Sequence, residues 1–332
     1  MVMKRKEFNR AWIRFREFGG VHLLREYARL GLLGRLVGIV VRCMLKRQSM
    51  KYAYSLFLEM VETVLIERYG GILDEALDDS RKGENTDTAD VNVPNIIWTC
   101  WLQGIEQAPE LVKACLASQK RCLNTGEHRA LSVEIYHKWV EIPDFIEQKY
   151  KKGIIPAALF SDILRLAVLK KYGGIWMDAS VLCTGFDNEV LKKQWDSIMG
   201  SELTIPRYYA RGAKVATGLS NWFIAARPNN VIISAVYDML VAYWRDFDCA
   251  IDYYMMHLFL GMALKASMCV ENKMPKLNSR YCFLLGNSLK MDFDKGAWDD
   301  LIAHVSIHKL NYRKAEEASR NNNGYYWHVL GL

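Results

Sequence analysis

A helix, a glycine pair, a short apolar strand and a carboxylate follow one another between residues 156 and 184. Residues 157–172 have apolar side chains at helical spacing, and the glycine pair 173–174 is a typical helix end. Residues 175–177 (Ile-Trp-Met) have the composition of a buried strand, and Asp178 follows them directly. Open α/β sheets bind their ligands at the carboxyl ends of their strands. The segment therefore predicts a sheet with a carboxylate at its ligand-binding edge.

Two further strands flank a helix earlier in the chain. Residues 96–101 and 131–136 are rich in β-branched and aromatic side chains, and residues 109–121 between them have helical spacing. A strand, a helix and a strand in this order are typical of parallel pairing, because the helix returns the chain to the same end of the sheet. We therefore predict an α/β fold with a parallel sheet.

The charge of the 332-residue chain is unevenly distributed. Residues 1–50 contain twelve Lys and Arg against three Glu, which gives a net charge of +9. Residues 51–90 have a net charge of −6, and residues 91–332 have a net charge of +4. The basic excess of the protein is therefore mostly N-terminal.

The N-terminal part also differs in texture from the rest. Residues 52–69 predict a helix that ends at the glycine pair 70–71, and the acidic, polar residues 73–90 are typical of a linker. We therefore predict two parts, a basic helical arm with an acidic linker over residues 1–90 and a single α/β domain over residues 91–332.

The arm contains an amphipathic pattern. If residues 25–47 form one helix, five cations lie within an arc of roughly 140° and the remaining surface is apolar; these are Arg25, Arg29, Arg35, Arg42 and Lys46. Two interpretations stay open: an interfacial helix on an anionic membrane surface, or a helix packed on the protein's own core with a solvated basic edge. The run 30–45 is too short to span a bilayer, which needs about 20 apolar residues. No nucleic acid partner is expected, since no nucleic-acid-binding motif accompanies the charge.

Cysteine usage and the first residues indicate the compartment. The eight cysteines are scattered, with no CxxC pair and no histidines at zinc-finger spacing, which predicts reduced thiols. Residues 1–20 alternate charged and aromatic side chains and lack the apolar run of a signal peptide. We expect a cytoplasmic protein, which under the membrane interpretation of the arm is peripheral at the inner face of the cell membrane.

Three charged residues lie in strongly apolar surroundings. Asp162 and Arg165 are three residues apart on the predicted helix and therefore share a face. An unpaired charge in such apolar sequence is costly, so the two are expected to pair. A purely structural ion pair is the alternative, but Asp178 adds a third charged group close by. We predict a functional polar cluster of these three residues.

Four short motifs accompany the cluster. They are Pro-Asn-Ile-Ile-Trp at residues 94–98, Trp-Leu-Gln-Gly at 101–104, Ser-Asp-Ile-Leu-Arg at 161–165 and Lys-Tyr-Gly-Gly-Ile-Trp-Met-Asp-Ala-Ser at 171–180. Together they resemble the capsular polysaccharide synthesis glycosyltransferases, over about residues 91–240. That family is similar to the wider group of glycosyltransferases with a DxD sugar-binding motif, which includes yeast mannosyltransferases and clostridial glucosylating toxins.

The resemblance implies a GT-A fold, a Rossmann-like α/β domain that binds a nucleotide diphospho-sugar, usually with Mn²⁺ or Mg²⁺. It implies that Trp98 borders the nucleobase, that Asp162 holds ribose or donor-sugar hydroxyls and that Arg165 contacts the diphosphate or the donor sugar. Asp178 corresponds to the first acid of the DxD motif, with a metal-binding and catalytic role. The chemistry agrees, because a departing diphosphate needs cations beside it and sugar hydroxyls need carboxylates.

One position departs from the motif. Ser180 stands at the third DxD position, and a hydroxyl is a weaker ligand than a carboxylate for a hard divalent cation. Further candidates are therefore His308 as a metal ligand and Lys309 as a phosphate contact. Asp252 is a candidate acceptor-site or catalytic carboxylate, with a helix N-cap as the alternative, and Asn221 is a candidate sugar contact.

The expected function is transfer of a hexose from a nucleotide diphospho-sugar to a glycan acceptor, lipid-linked or other, in surface or capsular polysaccharide biosynthesis. The alternative is a non-catalytic nucleotide-sugar or glycan-binding component of a polysaccharide assembly complex, because Ser180 replaces the second acid.

Overall fold

Three helices precede the sheet in the computed structural model, which describes residues 20–83, 92–207, 218–277 and 279–332. They are α1 (Val21–Arg29), α2 (Leu32–Leu45) and α3 (Met50–Gly83). Residues 1–19 of the basic arm lie outside the described residues. Residues 84–91 do too, so the domain boundary near residue 90 stays a prediction.

Strands and helices then alternate along the chain. The central part consists of β1 (Ile96–Cys100), α4 (Glu110–Cys122), β2 (Glu127–Leu131), α5 (Asp144–Lys151), α6 (Ala157–Tyr172), β3 (Gly174–Met177), β4 (Val181–Cys183), α7 (Glu189–Met199), β5 (Leu203–Thr204), β6 (Phe223–Ala226), α8 (Val231–Asp246) and α9 (Met255–Ala266). The C-terminal part consists of α10 (Met268–Lys273), α11 (Ser279–Cys282), α12 (Leu284–Ser288), α13 (Lys295–His304), β7 (Ile307–Lys309), α14 (Ala315–Ala318) and α15 (Tyr325–Leu330).

A five-stranded sheet has the order β2-β1-β3-β6-β5. Strand β1 pairs in parallel with both β2 and β3, with Trp98 opposite Trp176. Strand β6 is antiparallel to β3 and β5, so the sheet is mixed rather than wholly parallel. A second, two-stranded sheet pairs β4 with β7. The α/β class and the parallel β1–β2 and β1–β3 pairs agree with the prediction.

Both faces of the larger sheet are covered. Neighbouring residues of a strand point to opposite sides, so each face of the sheet contributes to a separate core. Trp98, Trp176 and Ile224 face one core, which α3, α6, α8 and α9 complete. Ile175 and Phe223 face a second core on the other side. Burial on both faces explains why β3 and β6 are continuously apolar.

Strand β2 lies earlier in the sequence than the predicted strand 131–136. It spans Glu127–Leu131, and Tyr136–Lys138 is a 3₁₀ turn. The position of β2 at the edge of the sheet explains the error, because an edge strand tolerates polar residues and its sequence has no apolar run. Val133, inside the predicted strand, is exposed.

The arm differs from the prediction in two places. Residues 25–47 form two helices instead of one, since Gly31 adopts a left-handed conformation (φ 67°) between them. Helix α3 continues through the glycine pair 70–71 to Gly83, so residues 73–83 of the predicted linker are helical. Leu73 and Leu77 are buried in the main core, and this packing offsets the low helix propensity of glycine.

The arm packs on the rest of the chain. Leu23, Tyr27 and Leu32 belong to the same core as α6 and α8, and Tyr27 Oη donates a hydrogen bond to the Ile251 carbonyl (2.7 Å). Among the described residues, no helix combines the length and apolarity needed to cross a bilayer. All eight cysteines fall within the described ranges, and each is a free thiol.

The Gly174 turn gives a stability test. Gly174 has φ 97°, and a Cβ there would lie 2.6 Å from the Ile96 carbonyl oxygen. Gly153 also has a positive φ (71°) but open space around it. We expect Gly153→Ala to cost about 1–2 kcal/mol of unfolding free energy through the left-handed backbone. Gly174→Ala should cost about 1–3 kcal/mol more through overpacking.

Urea unfolding followed by circular dichroism measures both variants. Equal losses for Gly174→Ala and Gly153→Ala would contradict the close approach of β1 to the start of β3.

Candidate active site

A large cleft lies where β1 and β3 end. Its volume is about 1020 Å³, above the upper end of the usual range for small-molecule sites, which is about 300–1,000 Å³. Residues that follow the carboxyl ends of both strands line it, as expected for an open α/β sheet. The arm contributes as well, through Tyr54 and Ser55 of α3.

Arg165 is the buried centre of a charged cluster in the cleft. Its guanidinium donates through Nη1 to Asp162 Oδ1, one turn earlier on α6, and through Nη2 to Asp178 Oδ1 (3.0 Å). The ring of Trp176 lies under the guanidinium, with its centroid 4.7 Å from Cζ. Trp176 Nε1 also donates to Asp178 Oδ1 (3.0 Å). The cluster therefore fixes the end of β3 against α6.

Lys309 approaches the same carboxylate from the C-terminal part of the chain. Its Nζ donates to Asp178 Oδ2 (2.7 Å) and to Ser180 Oγ (2.8 Å). The Asp178–Val181 turn is closed by a hydrogen bond from the Val181 amide to the Asp178 carbonyl (3.0 Å). Gln119 Nε2 donates to the Val181 carbonyl (2.8 Å) and holds the turn from behind. Lys309 thus bridges the two side chains of the DxD-like segment.

The two carboxylates have different protonation behaviour. Burial raises the pKa of Asp162 to about 6, and Arg165 only partly opposes this. Burial would also raise the pKa of Asp178, but Lys309 and Arg165 outweigh it and hold the pKa below its ordinary value. Asp178 is therefore ionised across the physiological range, whereas Asp162 becomes protonated in mild acid.

Six of the sequence-predicted site residues come together in the cleft. Asn221 joins the cluster by donating through Nδ2 to Asp162 Oδ1 (3.1 Å). The six are Asp162, Arg165, Asp178, Ser180, Asn221 and Lys309.

Trp98 does not border the cleft, contrary to the prediction. Its side chain is fully buried on the face of the sheet that the helices cover, and its Nε1 donates to the Gly173 carbonyl (2.9 Å). The alternation of β1 points Trp98 into the helical core, and Arg129 packs over its ring. Its role is structural.

His308 does not face the cleft either. Residues 308 and 309 are neighbours on β7 and point to opposite sides, so Lys309 enters the cleft and His308 faces the interior. The ring is fully buried, and its Nε2 lies 3.0 Å from Thr184 Oγ1. The prediction of His308 as a metal ligand is wrong on this geometry.

Asp252 lies next to the cleft but does not belong to the described residues that line it. Its Oδ2 accepts a hydrogen bond from Tyr54 Oη (2.7 Å), and its Oδ1 accepts one from the Tyr254 amide (2.8 Å). These contacts tie the arm to the start of α9, and the catalytic role of Asp252 stays a prediction.

Several lining residues had no assigned role at the sequence level. Trp101 and Tyr312 contact each other edge to face with centroids 5.2 Å apart, and both line the cleft. His257 and Tyr253 line it from the start of α9 and the turn before it. Burial lowers the pKa of His257 to about 3, so the ring is neutral at neutral pH. Trp101 could have been predicted to line the cleft, because it directly follows the carboxyl end of β1. Tyr54 and Tyr312 reach the cleft only through tertiary packing.

The residues present do not fit a divalent metal. Among the described parts of the chain, no group of three or more His, Cys, Asp or Glu is placed to hold a metal ion. Asp178 is the one carboxylate of the DxD-like segment, and both of its oxygens already accept from cations.

Comparisons with known proteins place the chain in a family. A model described as "Capsular polysaccharide synthesis protein" matches residues 43–329. A comparison with curated proteins finds no significant match. Among solved structures, "PaToxG Glycosyltransferase" is similar at 18% identity and a TM-score of 0.36, covering 62% of this chain and 83% of its own. The family match spans most of the chain and includes every residue of the cluster, and the protein therefore belongs to the capsular polysaccharide synthesis family.

Proposed function

We propose that the protein is a glycosyltransferase with a GT-A-type nucleotide-binding fold, which moves a hexose from a nucleoside diphospho-sugar to a glycan acceptor in surface or capsular polysaccharide biosynthesis. One observation supports this most strongly. Arg165 and Lys309 converge on Asp178 in a large cleft at the carboxyl ends of β1 and β3.

The charge of the cleft suits a diphosphate. Its lining residues include four cations and two carboxylates, so positive charge is in excess. The cations are Arg165, Lys309, Arg313 and Lys314. During transfer, the bond between the anomeric carbon and the diphosphate oxygen breaks, and its electron pair stays on the diphosphate. The acceptor oxygen bonds to the anomeric carbon, and its proton passes to water. Fixed cations next to the diphosphate stabilise the charge that develops there.

The remaining residues suit the sugar and the base. Asp162 and Asn221 offer an acceptor and an amide for sugar hydroxyls on one side of Arg165. Trp101 and Tyr312 offer aromatic surface for a nucleobase or a sugar ring, in place of Trp98. A non-catalytic nucleotide-sugar binder is the alternative, and it predicts donor binding without turnover.

Asp178→Asn tests the assignment. We expect this variant to lose at least about 100-fold in transfer, because the neutral amide no longer holds both cations in one arrangement. A thermal-shift screen of UDP-, GDP- and CDP-sugars selects the donor, and release of the nucleoside diphosphate measures turnover.

Asp238→Asn is the matched control. Asp238 also pairs with a lysine, Lys170 (2.7 Å), but outside the cleft, so its variant should keep wild-type turnover. Full activity in Asp178→Asn would refute the catalytic assignment, and donor binding without any turnover in the wild type would favour the binder.

The raised pKa of Asp162 predicts an acidic limb in the pH profile. The carboxylate must be ionised to pair with Arg165, so kcat/KM should fall as the pH drops through about 6. The Asp162→Asn variant has no titrating group there, so its lower activity should stay flat between pH 5 and 7. An unchanged limb in that variant would assign the titration to another group.

We further propose that α1 and α2 dock on an anionic membrane, where a lipid-linked acceptor would lie. Val37, Val41, Met44 and Leu45 form an exposed apolar stripe at i, i+4, i+7 and i+8 of α2. Exposed cations flank the stripe; they are Arg35, Arg42, Lys46 and Arg47. Apolar side chains next to cations match the boundary between acyl chains and anionic headgroups.

Vesicle co-sedimentation tests the docking. The full-length protein should bind vesicles that contain phosphatidylglycerol more tightly than vesicles of phosphatidylcholine alone. The double variant Val41→Asp/Leu45→Asp should lose at least tenfold in binding, since each apolar side chain contributes about 1.5–3 kcal/mol when buried.

Val190→Asp is the control, because Val190 is equally exposed on α7 but has no place in the stripe. Binding that ignores lipid charge, or that the double variant retains, would contradict membrane docking by this face.

A further inference from the structure

The ammonium group of Lys309 occupies the position between the two side chains of the DxD-like segment. Its Nζ lies 2.7 Å from Asp178 Oδ2 and 2.8 Å from Ser180 Oγ. A carboxylate and a hydroxyl two residues apart are the groups that would have to share a bound cation. Here the cation they share is a side chain of the protein itself.

The surrounding charges oppose a second cation at this place. The other oxygen of Asp178 already accepts from Arg165 (3.0 Å) and from Trp176 (3.0 Å). A divalent ion would therefore approach one carboxylate that already balances a guanidinium and an ammonium. Mg²⁺ at nucleotide sites is usually held by one or two carboxylates together with water and substrate phosphates, so a metal here would depend on an Asp178 oxygen that is open to it.

In the described ranges, no group of three or more His, Cys, Asp or Glu side chains is placed to hold a metal together with Asp178. Asp162 is turned to Arg165 and Asn221. His308 lies behind β7 and contacts Thr184. Ser180 Oγ accepts from Lys309, so both side chains of the DxD-like segment are already engaged by this ammonium group.

Lys309 has the donors that a diphosphate requires. An ammonium group has three N–H donors, and Asp178 and Ser180 accept from two of them. The third has no acceptor among the described residues and belongs to a side chain that lines the cleft. The hydrogen bonds to Asp178 and Ser180 hold the ammonium in place, and the third N–H can donate to a phosphate oxygen.

We propose that Lys309 takes the place of the divalent cation, so that the protein binds and cleaves its donor without a metal. This inference rests on the proposed function, because it concerns the diphosphate of the same donor. Lys309 and Arg165 lie beside the leaving diphosphate as fixed cations, and Asp178 holds the two next to each other. When the bond between the anomeric carbon and the diphosphate oxygen breaks, its electron pair goes to the diphosphate oxygen beside Lys309.

Manganese binding is the first measurement, and it does not depend on activity. The electron paramagnetic resonance signal of free Mn²⁺ is followed while the full-length protein is added. The wild type should leave the signal unchanged at millimolar Mn²⁺. Lys309→Glu exchanges the ammonium for a carboxylate next to Asp178 and Ser180, and it should bind Mn²⁺ at least tenfold more tightly. Stoichiometric Mn²⁺ binding by the wild type would overturn the proposal.

Nucleotide binding is the second measurement. UDP, GDP and CDP are titrated by calorimetry, once with EDTA and once with Mn²⁺. The wild type should bind its preferred nucleotide with the same Kd, within about twofold, in both. Lys309→Met keeps the aliphatic stem and should bind at least tenfold more weakly. Lys170→Met removes another lysine that pairs with a carboxylate, outside the cleft, and should bind like the wild type.

The outcomes distinguish a failure of the proposed role of Lys309 from a failure of the proposed glycosyltransferase function. Binding or turnover that EDTA abolishes and Mn²⁺ restores would overturn the role of Lys309 and leave the glycosyltransferase assignment standing. A wild type that binds none of the three nucleotides under either condition would refute the proposed function, and the Mn²⁺ titration would still decide whether the protein has a metal site.

Discussion

The ion pairs of Asp178 with the buried Arg165 guanidinium and with Lys309 hold three separate parts of the chain together. The guanidinium is almost completely buried, and it pairs with Asp162 on its own helix and with Asp178 after β3. Lys309 brings the C-terminal strand β7 to the same carboxylate. A buried charge without its partner is strongly destabilising, so each member of this cluster depends on the others. The helix, the central strand and the C-terminal part therefore meet at one point, and the cleft opens directly above it.

The N-terminal helices pack against the same core and help to line the cleft. Helix α3 lines the cleft through Tyr54 and Ser55, and its Leu73 and Leu77 lie in the core that α6 and α8 share. The exposed apolar stripe of α2 is thus connected to the cleft through one continuous core. A membrane contact at that stripe would hold the cleft at a fixed distance from the lipid surface, where the proposed lipid-linked acceptor would lie.

Local sequence signals predicted the elements whose causes are local. The apolar periodicity of α6, the glycines after it and the apolar run of β3 are enough to predict these elements. They also reveal Asp162 and Arg165 as charges within an apolar helix and Asp178 as a carboxylate directly after the strand. Strand β2 was misplaced because an edge strand is polar, and α3 was ended too early because packing of Leu73 overrides the glycine pair. Which of His308 and Lys309 faces the cleft depends on the pairing of β4 with β7. Lys309 and Asp178 are 131 residues apart, a contact that periodicity does not reveal. The resemblance places Trp98 at the nucleobase, but the sequence does not reveal which face of the sheet this side chain points to.

In the proposed mechanism, two side-chain cations fixed by Asp178 hold the diphosphate of a sugar donor. A crystal structure of the full-length protein with its preferred nucleoside diphosphate, grown with Mn²⁺ present, tests this most directly. The expected result is a phosphate oxygen within hydrogen-bond distance of Lys309 Nζ, with Asp178 still paired to Lys309 and Arg165. A Mn²⁺ ion between Asp178 and Ser180, or a diphosphate bound away from both cations, would contradict it.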